Sequence, residues 1–312
     1  MNTYIHIGLP KNASTTLETH LFPAIENRYY MGKYYNPENT FSSPELEMTI
    51  SNIVRNDSLS FSLEESRSNI NADINNHKEG EDGVIISNEA FSFNFTDRGV
   101  IAKRLYNLFD NAKVLIIIRE QRSSIQSMYS YLVSLTDKKS ATNASFGSPS
   151  LASIEEWIED QKIHIDKSYL GMLKYSELIF FYKRLFGEAN VTVLCFEELS
   201  KSPDSFVRKI TDYLEVDYKE SYVDLVQKQT NVSRKGLRLA YDRLRNTYMF
   251  RIIGMDKIKV NKIASLLQIS DKKTPSKLSE NLECYLTNYY KEDNRIIQNE
   301  LNIDINSHGY SL

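Results

Sequence analysis

The sequence predicts an α/β fold with a mostly parallel central sheet flanked by helices. Three observations predict it. Four short apolar runs, at residues 4–7, 84–87, 113–118 and 191–196, lack the polar alternation of a half-exposed strand. Continuous β-branched runs of this kind suit strands covered on both faces. Helical patterns fall between them, at about 14–25, 97–109, 121–135, 154–163, 175–186 and 205–214, and strands alternating with helices form a parallel sheet. Finally, 41% of the 312 residues are apolar and 25% charged, as in an average soluble globular protein.

Taken in order, the first strand starts almost at the N-terminus and leads into the segment 7–17. The third run, Val114-Leu115-Ile116-Ile117-Ile118, is the clearest strand. Residues 36–82 are rich in Asn, Ser, Glu and Asp, which predicts helical excursions and loops. Residues 136–150 lack periodicity and read as a mobile loop, a second insertion. From about residue 237 the pattern is helical and at first basic. No internal repeat and no long linker interrupts the chain, so the expectation is one domain over 1–312.

Charge and termini exclude several classes. Lys and Arg number 38 against 41 Asp and Glu, a formal net charge of −3. Hydrophobicity this high with so small a net charge excludes a disordered chain. The absence of a basic excess argues against nucleic acid as a partner. No stretch reaches the roughly 18 apolar residues of a membrane span, and the N-terminus lacks a signal-peptide pattern. Two cysteines, Cys195 and Cys284, are too few for a disulfide framework. These features predict a reduced, cytoplasmic protein. Oligomeric state is left open. Four N-x-S/T sequons occur, at Asn12, Asn94, Asn143 and Asn231; a glycan on Asn12 would block the loop described next.

That loop is Ile7-Gly8-Leu9-Pro10-Lys11-Asn12-Ala13-Ser14-Thr15-Thr16-Leu17. It follows a strand and opens a helix, where backbone N–H groups and the helix dipole converge on an anion. Lys11 adds a charge, and Ser14 and Thr15 add hydroxyl donors. Ser14 also suits an N-cap, with Glu18 in the first turns. A nucleoside-triphosphate loop needs G-x-x-x-x-G-K-[ST], and its metal-binding hydroxyl stands directly after the Lys. Here Lys11 precedes the hydroxyl cluster, so that arrangement is missing. Alone, the segment also fits a plain strand-to-helix turn with an exposed Lys.

A second cationic point follows the third strand. Arg119 stands at its carboxyl end, the ligand edge of an open α/β sheet, and Ser127 lies eight residues on, on the following helix. A guanidinium fork suits a phosphate dianion. A third segment, Arg234-Lys235-Gly236, suits a loop that closes over a phosphate. Short basic pairs and lone Arg residues are common, so each is weak by itself. Together they fit one ligand with phosphates at two ends.

Gly-x-Pro-Lys-x-x-Ser-Thr-Thr-Leu resembles the 5′-phosphosulfate loop of sulfotransferases that use 3′-phosphoadenosine 5′-phosphosulfate (PAPS), bacterial and carbohydrate types among them. The family loop usually carries Gly where Ala13 stands. The segment Val193-Leu194-Cys195-Phe196-Glu197-Glu198-Leu199 with Pro203, and the tail from Tyr290 to Tyr310, also look familial. The resemblance therefore runs from residue 4 to 310. It implies a P-loop-NTPase-like sulfotransferase fold and transfer of a sulfuryl group to an acceptor hydroxyl, on a carbohydrate or glycolipid, with 36–82 and 136–150 as insertions or loops on the acceptor side. It implies that Lys11, Asn12, Ala13, Ser14, Thr15 and Thr16 line the 5′-phosphosulfate site. Arg119, Ser127 and Arg234, Lys235 and Gly236 would hold the 3′-phosphate. No metal is expected, because Lys and Arg can balance the charge of the leaving adenosine 3′,5′-diphosphate.

The reaction also needs a base for the acceptor proton. Glu89 directly follows the second apolar run, in Ser87-Asn88-Glu89, a Ser-x-Glu pattern that resembles bacterial and carbohydrate sulfotransferases. Glu89 could equally be a solvated residue at a helix start. The family also uses His, and His6, His20, His77, His164 and His308 fit that role less well. No Cys/His group has metal-ligand spacing. The other classes open to the sequence are a nucleotide-binding sensor or scaffold without transferase activity, and a P-loop-type kinase.

Overall fold

A computed structural model describes residues 1–32, 41–77, 80–92, 97–135, 153–228 and 278–312. These divide into two compact units. The first comprises Met1–Glu120, Lys174–Thr230 and Asp293–Leu312, the second Gln121–Leu173 and Asn231–Glu292.

The first unit is built on β1 (Asn2–His6), which feeds a helical segment: a short α1 (Ser14–Thr16), a π-helical turn Leu17–Leu21 and a 3-10 turn Phe22–Ala24. The sequence pattern predicts one continuous helix here. Pro23 in the last turn removes a backbone donor, and the segment tightens and ends there. Next come β2 (Arg28–Tyr30), α2 (Pro44–Arg55), α3 (Leu63–His77), β3 (Gly83–Ser87), a 3-10 turn Glu89–Ser92, α4 (Arg98–Leu108) and β4 (Lys113–Ile118).

The second unit takes over with α5 (Gln121–Leu135), α6 (Ile154–Ile163) and α7 (Tyr169–Met172). The first resumes with α8 (Tyr175–Phe186), β5 (Val191–Cys195), α9 (Phe196–Lys201), α10 (Pro203–Leu214) and α11 (Glu220–Gln227), and α12 spans Glu280–Asn299.

The sheet has the order β2-β3-β1-β4-β5, and every neighbouring pair is parallel. Four of the five strands match the apolar runs. The extra one, β2, is a three-residue edge strand, Arg-Tyr-Tyr, with no apolar run to announce it. Residues Val114–Ile118 of β4 are fully buried. Each such aliphatic side chain contributes about 1.5–3 kcal/mol of burial energy, which is why the apolar runs and the strands coincide. One face is sealed by Leu17, Leu21, Phe22, Phe206, Val207, Ile210 and Leu214. Helices α2 and α3 realise the excursions expected within 36–82. Residues 136–150 and the early basic part of the C-terminal region lie outside the described residues.

The second unit has an aromatic core. Trp157 lies between Tyr129 and Tyr169, with ring centroids at 5.8 and 6.3 Å. The Tyr169 and Ser124 hydroxyls are 2.7 Å apart, the Tyr169 N–H donates to Gln161 Oε1 at 3.0 Å, and the Tyr290 hydroxyl donates to the Leu170 carbonyl at 2.9 Å.

Candidate active site

Parallel strands bring their carboxyl ends to one edge, and the candidate residues of the first unit gather there. The loop after β1 is tightly wound. Gly8, Lys11 and Ala13 all take left-handed backbone angles, with φ of 45°, 68° and 67°. A Cβ on Gly8 would stand 3.1 Å from Glu89 Cα and 3.2 Å from Glu89 N. Only Gly lets the loop approach the Glu89 backbone this closely.

Two side chains fasten the loop from inside. Asn12 is fully buried, and its Nδ2 donates to the Ile117 carbonyl of β4 at 2.6 Å. Ser14 is buried as well, and its hydroxyl donates to the Leu9 carbonyl at 3.3 Å. Ser14 is therefore not the helix cap that the sequence suggests. Ala13 occupies that position with no side-chain cap, because the left-handed turn at Ala13 folds Ser14 back over the loop. The burial of Asn12 also closes its sequon to glycosylation. Thr15 and Thr16 are half-buried at the helix start.

Arg119 follows β4, and its Nη1 donates to the Lys11 carbonyl at 2.7 Å. Its guanidinium lies over the Phe196 ring, 4.3 Å from the centroid, and its carbonyl accepts the Tyr175 hydroxyl at 2.8 Å. Tyr175 is itself fixed by Asp293, whose carboxylate accepts the Tyr175 and Ser176 N–H groups and the Ser176 hydroxyl at 2.9, 3.1 and 2.6 Å. This caps the N-terminus of α8 from a distant part of the chain. The sequence gives no sign of it, since Asp293 lies 118 residues from Tyr175. Glu197 Oε1 accepts the Glu120 N–H at 2.9 Å.

Burial lowers the pKa of Lys11; Glu89 opposes that shift and Arg119 reinforces it. Two cations and one carboxylate thus meet within one loop cluster, and a bound anion would relieve the desolvation and repulsion of the cations. Glu89 opens the 3-10 turn after β3, half-buried. The turn is closed by the Ala90 N–H on Asn88 Oδ1 at 2.9 Å. The Ser92 hydroxyl reaches both the Gly8 and the Glu89 carbonyls, each at 2.9 Å.

The structure thus brings Lys11, Asn12, Ala13, Ser14, Thr15, Thr16, Glu89 and Arg119 to one edge of the first unit. Ser127 is half-buried in the second turn of α5, in the second unit. Arg234, Lys235 and Gly236 lie outside the described residues. One group of metal-binding type escaped the reading of sequence spacing: the ligand atoms of Cys195, Glu198 and His308 lie within 4.8 Å of one another. Glu198 is paired there with Lys209 at 2.5 Å. Burial first, then Glu197 and Glu198, push the Cys195 thiol up to about 12.

No protein-family model matches the chain, and no curated protein does. Among solved structures it is similar to a sulfotransferase from Alicyclobacillus acidocaldarius, with a TM-score of 0.54 and 16% identity over 98% of each chain. It is also similar to sulfotransferase STF9 from Mycobacterium avium, with a TM-score of 0.43 and 9% identity over 88% of this chain and 78% of that one. Mouse sulfotransferase SULT7A1 complexed with PAP gives a TM-score of 0.39 and 11% identity over 92% and 88%. The architecture is that of an α/β protein with a P-loop-like turn at the carboxyl edge of a parallel sheet. More closely, it is the sulfotransferase fold, as the loop resemblance implies. Among the described residues, no helix is long and apolar enough to cross a membrane.

Proposed function

We propose that the chain is a sulfotransferase that moves a sulfuryl group from PAPS to an acceptor hydroxyl. The observation that carries this reading is the meeting of Lys11 and Arg119, joined at 2.7 Å through the Lys11 carbonyl, beside Glu89 on the neighbouring strand end. The donor set fits a small polyanion: two cations, a tightly wound loop and a helix start.

In this reading PAPS supplies an activated sulfuryl group with a good leaving phosphate. Lys11 balances charge developing on the oxygen that leaves, and Arg119 holds the 3′-phosphate, with Ser127, Arg234, Lys235 and Gly236 as its further ligands. Backbone groups of Asn12 and Ala13, and the hydroxyls of Thr15 and Thr16, serve the 5′ end. Glu89 takes the proton of the acceptor hydroxyl as its oxygen attacks sulfur in line with the departing oxygen. The S–O bond to the phosphate breaks, and adenosine 3′,5′-diphosphate leaves with the electron pair. No metal is required by this charge balance. The Ser-x-Glu resemblance points to a carbohydrate or glycolipid acceptor, and a cytoplasmic location suits a donor made inside the cell.

The test uses ³⁵S-labelled PAPS with a panel of saccharide and glycolipid acceptors, and calorimetry with adenosine 3′,5′-diphosphate. Wild-type protein is expected to bind the diphosphate and transfer label. Lys11→Ala should lose about a hundredfold to a thousandfold in turnover, the usual cost of removing one transition-state donor. Unchanged turnover in Lys11→Ala would sink the assignment of the loop, and absence of diphosphate binding by wild type would sink the function. Binding without transfer to any acceptor would favour a sensor.

A further inference from the structure

Strands β1 and β3 end in a paired position, His6 opposite Ser87. Both side chains are 1% exposed. His6 Nδ1 and Ser87 Oγ are 2.7 Å apart. The Ser87 hydroxyl donates to Glu18 Oε1, also at 2.7 Å. Glu18 is fully buried in the π-helical turn that follows the phosphate loop. Three segments of the first unit are joined in one line of buried polar groups: the strand before the loop, the strand before Glu89, and the helix after the loop.

With Glu18 as the carboxylate, the proton count sets the direction of that line. A serine has one O–H to give. With that proton on Glu18, Ser87 Oγ accepts from His6, so His6 Nδ1 carries a proton. The imidazole is further held by the edge of Phe22, with ring centroids at 5.6 Å.

The site did not require polar groups for packing alone. Ile5, Ile86, Leu17 and Leu21 beside these residues are buried and apolar, and buried polar side chains cost free energy unless fully bonded. What distinguishes His6 and Ser87 is where they stand. His6 is two residues before Gly8, and Ser87 is two residues before Glu89. Beyond them the two strand ends stay tied: the Asn88 N–H donates to the His6 carbonyl at 3.3 Å, and the Ser92 hydroxyl donates to the Gly8 carbonyl at 2.9 Å. A shift at the His6–Ser87 pair would pass directly to Gly8 and Glu89, which already touch.

We infer that His6, Ser87 and Glu18 are positioning residues that set where Glu89 stands against the Lys11 loop. The inference rests on the reading of Glu89 as the base. It assigns to His6 a role that makes no contact with substrate. Misplacing a reacting group by about 1 Å can cost on the order of a hundredfold in rate, so the line acts on turnover more than on cofactor affinity.

The experiment compares kcat, KM for PAPS and diphosphate affinity in four variants of the full chain. Ser87→Ala and His6→Leu break the line. His6→Asn keeps a side-chain N–H close to the position of Nδ1, and Glu18→Gln keeps an acceptor oxygen for Ser87. The expected result is a fall in kcat of roughly tenfold to a hundredfold in the breaking variants, with diphosphate affinity within about threefold of wild type. His6→Asn and Glu18→Gln should recover most of kcat. Unchanged kcat in Ser87→Ala, or parallel loss of kcat and affinity, would overturn the inference. Should the breaking variants fail to fold, ¹⁵N NMR of histidine-labelled wild type decides: His6 must carry its proton on Nδ1, and a tautomer bare at Nδ1 overturns the proposal. Failure of wild type to transfer label would instead strike at the function itself, so the two failures are distinct.

Discussion

The loop after β1 and the Glu89 turn touch each other, yet they are held by opposite means. Between residues 8 and 13 the loop places three residues in the left-handed region, two of them, Lys11 and Ala13, with side chains that disfavour it. Residues 88–92 contain no such angle. That turn is closed by ordinary hydrogen bonds, the Phe91 N–H on the Asn88 carbonyl at 3.2 Å and the Ala90 N–H on Asn88 Oδ1 at 2.9 Å. One side stores backbone strain, and the other is relaxed. In the proposed function the loop presents Lys11 and a close-packed backbone to an anion, and strain is the cost of that shape. The turn has only to aim one carboxylate, which a relaxed 3-10 turn and the strand end beneath it can do.

If the relaxed side carries the proton transfer, its largest effect is chemical. Glu89→Gln keeps the shape of the side chain and removes its basicity. Turnover should fall by about a hundredfold to ten-thousandfold, the usual range for a general base, while diphosphate affinity stays near wild type. Steady-state kinetics beside calorimetry read the two apart. Equal turnover in Glu89→Gln would move the base to another group and dissolve the contrast.

The next effect comes from the contact between the two sides. Gly8→Ala puts a methyl group 3.1–3.2 Å from the Glu89 backbone and the Ser14 hydroxyl, at a φ of 45°. Left-handed strain and the displaced neighbour together should destabilise the fold by about 1–3 kcal/mol. Chemical denaturation measures it, and an unaltered midpoint would mean that the strand ends do not abut as described.

Much of this arrangement could be read from the sequence, and the exceptions share a cause. Strands β1, β3, β4 and β5 announce themselves because buried parallel strands need unbroken apolar runs. Lys11, Arg119 and Glu89 are visible because each stands just past such a run. Edge strand β2 is too short and too polar to give a pattern. Ser14 misleads because a hydroxyl before a helix ordinarily caps it, and the left-handed turn at Ala13 redirects it. Asp293, Tyr175 and the Glu18–Ser87–His6 line escape because each joins residues far apart in sequence through side-chain hydrogen bonds, and no local spacing encodes such pairs. His6 reads as a core residue from its strand, and its burial agrees; only the folded chain brings its ring to Ser87, 81 residues away.

A smaller effect probes the relaxed turn itself. Asn88→Ala removes the Oδ1 acceptor of the Ala90 N–H. A single bond of this kind is worth about 1 kcal/mol, and the change leaves Glu89 in place. A modest fall in the denaturation midpoint with kcat reduced by less than about threefold is expected. A drop in kcat matching that of Ser87→Ala would show that the turn's own bonds aim the carboxylate, rather than the buried line beneath it.

The smallest effect has the opposite sign and tests the strained side directly. Ala13 sits at φ 67°, ψ 4°, where an L-residue other than Gly carries roughly 1–2 kcal/mol of strain. Ala13→Gly removes that strain, and the more flexible unfolded chain takes back about 0.4–1 kcal/mol. The difference is a net gain of roughly 0.8 kcal/mol, which for a chain of this length is about 1 °C in the melting temperature. Lys11 shares the same backbone angle, and if its ammonium serves the leaving oxygen as proposed, a glycine there would relieve the strain at the expense of turnover. On that reading the strain at Lys11 is tied to chemistry, whereas strain at Ala13 has no side-chain function to retain it. A melting temperature that falls in Ala13→Gly would mean that the loop is not wound left-handed at residue 13 in solution, and the contrast between a strained loop and a relaxed turn would fail at its origin.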